Sequence, residues 1–230
     1  MKRVLLLFAL FAFAVSVSAQ NVQTHYDFGK DRGYITTTVE MFKPDKTGNT
    51  FFFIDFDYGI PGHEHMSNAY FEIARVMTLG KTSPFGWHAE YNGGFGKIPN
   101  LDGYFSVNNA WLTGVDYSWN AEDFSKGVTL KVMYKGIQDK QSSVQFTGIW
   151  YLNFANEKLS FTGFADFWKE DSDFNFDGTT DATWIFLAEP QLWFNASKKF
   201  AIGTEIELSS NFAGMEGINV MPTLGAKYTF

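Results

Sequence analysis

The sequence predicts an all-β protein: an antiparallel up-and-down transmembrane β-barrel of twelve strands, preceded by a cleavable signal peptide. Three observations point there. The chain ends in a strand with one apolar face, it begins with a secretory leader, and it carries more aromatic side chains than a small soluble domain buries.

The last segment, Asn219–Phe230, alternates strictly. Val220, Pro222, Leu224, Ala226, Tyr228 and Phe230 share one face, and Met221, Thr223, Lys227 and Thr229 the other. A period of two is that of a strand. It closes on Phe230, with Tyr228 two positions earlier, which resembles the C-terminal signal that outer-membrane barrels present to their assembly machinery. The apolar face is then expected to meet lipid and the polar face a lumen.

At the other end Lys2 and Arg3 precede an apolar run, Val4 to Val15, followed by small residues up to Ala19. A basic start, a short greasy core and small residues before a cut site make a signal peptide. The run falls short of the ~20 residues a spanning helix needs. Cleavage after Ala19 divides the chain into a leader, 1–19, and a barrel domain, 20–230. There is no Cys, hence neither a lipid-attachment site nor a disulfide framework.

Phe 26, Tyr 10 and Trp 7 bring the aromatics to 19% of the chain, a surplus that barrels place in girdles at the two membrane interfaces. Removing Lys2 and Arg3 from the 18 basic residues leaves 16 against 25 acidic, a formal charge of −9. That argues against nucleic acid as a partner. It leaves a membrane open, because a barrel meets lipid through its apolar band.

Turn signals divide the rest into strand-like segments at 22–28, 34–43, 50–58, 69–79, 86–95, 108–119, 127–136, 143–154, 159–170, 181–194, 200–209 and 219–230. Long polar connections are expected at 59–68, 96–107, 171–180 and 210–218, with shorter ones at 80–85, 155–158 and 195–199. Long loops outside and short turns inside suit a barrel whose termini are both periplasmic. Periodicity alone also allows a secreted soluble barrel with its greasy face inward. Twelve strands, however, would bring too many charges into such a cavity.

Register assigns the lumen, since a charge on the lipid face near the midplane can cost up to about 2–4 kcal/mol for Lys or Arg, and less for Asp or Glu. Strands two and three contribute Glu40, Phe51, Phe53, Asp55 and Asp57. Strands four to six contribute Glu72, His88, Glu90 and Asp116, and strand seven Lys131 and Lys135. Strand nine contributes Phe164, Asp166 and Trp168, and strands ten and eleven contribute Glu189, Gln191, Trp193, Glu205 and Glu207. Lys227 adds a third lysine to this face. Strand four is irregular: Glu72 and Arg75 fall on opposite faces, so a bulge is expected there, or Arg75 near an interface.

Phe52-Phe-Ile-Asp-Phe-Asp-Tyr58, Tyr70-Phe-Glu-Ile73, Gly86-Trp-His-Ala-Glu-Tyr-Asn92 and Leu159-Ser-Phe-Thr-Gly-Phe-Ala-Asp-Phe-Trp168 resemble, in order and spacing, the nucleoside-specific channel-forming outer-membrane proteins of the Tsx type. The likeness runs from about Tyr34 to Phe230. With His25-Tyr-Asp-Phe-Gly29 and Val39-Glu-Met-Phe-Lys-Pro44, the chain is similar to an uncharacterised branch of small outer-membrane barrels related to that family. The resemblance implies a narrow, monomeric, 12-stranded barrel in a Gram-negative outer membrane that passes nucleosides by diffusion, without a cofactor.

The lumen residues suit that task. Nucleosides need aromatic faces to stack on and acceptors for their ribose hydroxyls. The same carboxylates suit a cation-preferring pore, or could fill the lumen of a plugged structural or adhesive barrel in a salt-bridged network with the lysines. A barrel enzyme acting on lipid is a further alternative, but no nucleophile is fixed beside His88.

Asp173, Asn175, Asp177 and Asp181, with Gly178 at the turn, copy the first part of a calcium loop. Trp184 stands where the bidentate Glu belongs. A solvated acidic loop has the same composition. His63-Glu64-His65 offers two imidazoles but no third ligand.

Overall fold

The computed structural model describes residues 21–230 apart from 61, 63, 99–101 and 175–177. The leader 1–19, with its cleavage site, lies outside the described residues, as do His63, Asn175 and Asp177. The strands are β1 (Asn21–Asp27), β2 (Ile35–Asp45), β3 (Gly48–Tyr58), β4 (Met66–Thr78), β5 (Phe85–Lys97), β6 (Tyr104–Asn120), β7 (Lys126–Ile137), β8 (Ser143–Phe154), β9 (Leu159–Ser172), β10 (Asp181–Ala188), β11 (Gln191–Asn195), β12 (Phe200–Ser210) and β13 (Ile218–Thr229).

Every pairing is antiparallel, and β1 pairs with β13 from Asn21↔Thr229 to Asp27↔Thr223, so the sheet closes on itself. β10 and β11 are two halves of one stave. Both pair with β9 and with β12, in one continuous register interrupted only at Glu189 and Pro190. Proline has no N–H to give the ladder, which is why the stave breaks there. Thirteen hydrogen-bonded strands thus make the twelve staves expected from the sequence.

The two faces are inverted relative to a soluble protein. Outward-facing Trp111, Val132, Phe194 and Leu224 are 52–55% exposed, whereas inward-facing His88 and Trp193 are 0% exposed. A closed wall with an apolar outside and a polar inside is the arrangement that satisfies every backbone group in a bilayer. Aromatic pairs gather toward both rims. Phe85–Tyr117 (5.3 Å) and Tyr228–Phe230 (5.5 Å) lie at the end holding the termini; Tyr26–Phe28 (4.8 Å) and the stacked Phe167–Trp184 pair (4.7 Å) lie toward the other. The molecule is a closed outer-membrane-type β-barrel.

Two expected connections shorten, and of the two alternatives for strand four the placement of Arg75 near an interface holds. The connections read as 59–68 and 96–107 shrink, because β4 starts at Met66, β5 runs to Lys97 and β6 starts at Tyr104. Strand four has no bulge between Glu72 and Arg75; its register slips at Asp57/Tyr58, and that of β5 against β6 at Asn92/Gly94. Arg75 instead sits at the rim, where its guanidinium donates to Asp45 (2.6 and 3.0 Å), Thr47 (2.6 Å) and Thr50 (3.1 Å). An outward charge is tolerable there and not at mid-height.

Candidate functional site: the lumen

All the residues assigned to the lumen from the sequence lie on the inner face, in two chemically different halves. The first half, β4 to β9, is a mixed-charge network. His88 Nδ1 lies 3.1 Å from Asp116 Oδ2, and its Nε2 lies 2.9 Å from Glu90 Oε2. Carboxylates only accept hydrogen bonds, so a ring that donates from both nitrogens matches this setting. Asp116 is paired in register with Lys131, and Lys131 with Thr147; the Thr147 hydroxyl donates to Asp166.

Lys135 Nζ donates to Gln145 Oε1 (2.7 Å) and stands 3.9 Å above the Trp168 ring, a cation–π contact. Trp168 Nε1 in turn donates to Glu170 (2.8 Å). Glu72 accepts from Tyr70 (2.7 Å) and Asn92 (3.2 Å). Apolar Leu112 and Met133 complete this half, pointing inward and buried, as does Ile185 of the adjoining β10. Alternation hid them, because an apolar residue on the polar face gives no period-two signal.

The second half, formed by β1–β3 and β10–β13, is acidic. Asp55 accepts from Thr38 (2.5 Å), and Asp57 from Thr36 (2.6 Å) and Asn68 (2.9 Å). Glu40 accepts from Asn21 (2.8 Å) and Glu205 from Gln191 (2.5 Å). Trp193 Nε1 donates to Gln191 (2.9 Å), with Lys227 Nζ 4.1 Å from its ring. The strongest electrostatic neighbours of Glu189 are other carboxylates: Glu205, Asp55, Glu207 and Glu72. Phe51, Phe53 and Tyr70 form a ladder of rings 5.9 and 6.0 Å apart.

Asp55, Glu72, Asp166, Glu189 and Glu205 lie deep inside the barrel and yet stay half-buried rather than sealed, as do Phe51, Phe53 and Phe164. On the His88 side, by contrast, the ring itself is fully buried.

Several polar residues among those described also escaped the sequence assignment. Gln23, His25 and Asp27 of β1 are buried on the inner face, with His25 hydrogen-bonded to Thr223 (2.9 Å) and Gln23 (3.2 Å). Their alternation with Val22, Thr24 and Tyr26 was the available signal. Tyr70 stands two places before Glu72 and shares its face. Arg32 belongs to a connection, where periodicity says nothing. Its guanidinium donates to Asp27 Oδ2 (2.9 Å) and Glu207 Oε2 (2.8 Å). Burial opposes its charge, but Glu207 and Asp27 outweigh this and hold its pKa above the ordinary value. Burial, then the nearby Asp57, pushes the Tyr34 phenol well above its usual range.

In the presumed calcium loop, Asp173 Oδ2 accepts from Gly178 N (2.8 Å), and Asp181 opens β10 in an exposed position. Among the described residues, no cluster of three or more His, Asp or Glu is arranged to hold a metal ion.

Two solved structures share this architecture. The NanC porin aligns with a TM-score of 0.60 at 11% identity, over 92% of this chain and 100% of that one. The KdgM porin aligns with a TM-score of 0.50 at 10% identity, over 92% of this chain and 98% of that one. At such identities the likeness is one of fold. No curated protein matches the chain in sequence. The model of one family, described as a domain of unknown function (DUF5020), matches residues 19–230, and the chain belongs to that family.

Proposed function

We propose that the protein is an outer-membrane channel for the passive diffusion of small polar solutes, nucleosides first among them. The observation that carries the reading is a closed barrel whose inner face carries partly exposed carboxylates and aromatic rings. The tilted Phe51–Phe53–Tyr70 ladder offers aromatic faces and Asp55, Glu72 and Glu205 offer acceptors for hydroxyls. The fold shared with NanC and KdgM, both named as porins, agrees with transport. Likeness to the Tsx type supports nucleosides.

In this reading the barrel is a monomer without a cofactor, in a Gram-negative outer membrane. Its termini face the periplasm, and the strand ending at Phe230 guides assembly. The acidic half makes cations the favoured class among charged solutes, since rings of Asp and Glu select them. Catalysis fits poorly: both nitrogens of His88 are engaged by carboxylates, which leaves the ring no hydroxyl to activate. A plugged structural barrel is the second reading, favoured by the complete burial of His88, Met133 and Trp193.

Purified barrel in liposomes decides between them. Swelling in isotonic nucleoside supports the channel and its solute. Swelling in small sugars but not nucleosides leaves a channel of other specificity. Correctly folded protein that passes neither is a plugged barrel.

A further inference from the structure

The connection between β1 and β2, residues 28–34, folds into the mouth of the barrel rather than away from it. Gly29 lies against the inward-facing, buried Met221: a Cβ there would stand 2.5 Å from the Met221 sulfur. Its N–H donates to Asp27 Oδ1 (2.6 Å). Asp31 and Gly33 have φ of 61° and 100°, left-handed conformations that turn the chain back on either side of Arg32. The Arg32 guanidinium then bridges Asp27 of β1 and Glu207 of β12, across the intervening β13. Ser209 donates to the other oxygen of Glu207 (2.9 Å). Asp57 of β3 is the further carboxylate beside Tyr34 in this cluster.

We infer that Arg32 is the residue that sets ion selectivity at this mouth, and that the 28–34 strap it fastens narrows the entrance. The inference rests on the channel reading. One guanidinium faces the carboxylates of Asp27 and Glu207, at the entrance to a lumen whose further wall holds Asp55, Glu189 and Glu205. Its charge opposes cations entering that wall, and its fork, which matches two separate carboxylates, holds the strap down. Removing it lifts both effects. Lysine keeps the charge and loses the fork, so it separates them.

The test is single-channel recording in planar bilayers under a potassium chloride gradient, on wild type, Arg32→Ala and Arg32→Lys, each checked for heat-modifiable mobility. A unit charge about 6 Å from a permeating ion in water changes its local concentration about threefold. Removing it raises the cation and lowers the anion by that factor, so Arg32→Ala is expected to raise the cation-to-anion permeability ratio about tenfold and to raise conductance. Arg32→Lys is expected to raise conductance with little change in the ratio. Silent wild type with conducting Arg32→Ala also supports the strap. Conducting wild type with unchanged conductance and reversal potential in folded Arg32→Ala overturns the inference and leaves the channel standing. Silence from both proteins overturns the two together.

Discussion

Replacing His88 by alanine should cost the barrel a large part of its stability. The ring is 0% exposed and joins Glu90 and Asp116, whose side chains are only 7% and 4% exposed. Each hydrogen bond to a charged group contributes about 1.5–3 kcal/mol. Removing one partner of a buried charge pair costs about 3–5 kcal/mol, because the remaining charge is left uncompensated. Asp116 already has one oxygen, Oδ1, without a hydrogen-bond partner, so it has little left to fall back on. The expected loss is about 3–5 kcal/mol, read by reversible urea unfolding in micelles with the tryptophan fluorescence the chain supplies. Adding Glu90→Gln to His88→Ala should recover part of that loss by removing one stranded charge. A loss under about 1 kcal/mol for His88→Ala, or a double variant weaker than the single, would refute the reasoning.

Three further outcomes follow from the same structure. Glu189→Gln with Glu205→Gln should lower the cation-to-anion permeability ratio by more than about tenfold if both carboxyls are ionised, since each charge about 5 Å from the ion path in water is worth about 0.8 kcal/mol, of opposite sign for cation and anion; an unchanged reversal potential would mean these carboxylates lie off the path. Gly114→Val should abolish the heat-modifiable folded species, because a Cβ at that position would stand 2.0 Å from the Val132 carbonyl oxygen and 2.7 Å from Met133 Cα. If the Asp173–Asp181 loop holds calcium, millimolar calcium should raise the melting temperature and Asp173→Ala should erase the rise; unchanged melting leaves a solvated acidic loop.

The staves were legible because their two solvents differ. Lipid and lumen impose opposite polarity on successive residues, so Trp184, Phe186, Leu192 and Phe194 announce one face and Gln191 the other. The same logic is blind where polarity and position part company. Ile185, Met133 and Leu112 are apolar and yet point inward, where they are buried. Arg75 is charged and yet points outward, which only its place at the rim allows. The division of the lumen into a mixed-charge half and an acidic half depends on which staves stand together, and a linear pattern does not carry that. Nor does alternation reach the connections, so the Arg32 bridge became visible only in three dimensions.

The seam between β1 and β13 has a consequence for how the molecule comes into being. Consecutive staves are neighbours in the chain and pair across short connections, but the seam sets Asn21 beside Thr229 and Asp27 beside Thr223. It is also short, limited by the seven residues of β1. Contacts so distant in sequence carry the largest loop-closure penalty and form late. Until they form, an inserting sheet has two open edges, whose N–H and C=O groups find no water in the hydrocarbon. Closure is therefore the step that commits the chain. A polypeptide deprived of its first or last strand is not a slightly weaker barrel but one that cannot finish, and it would seek another sheet's edge to complete itself.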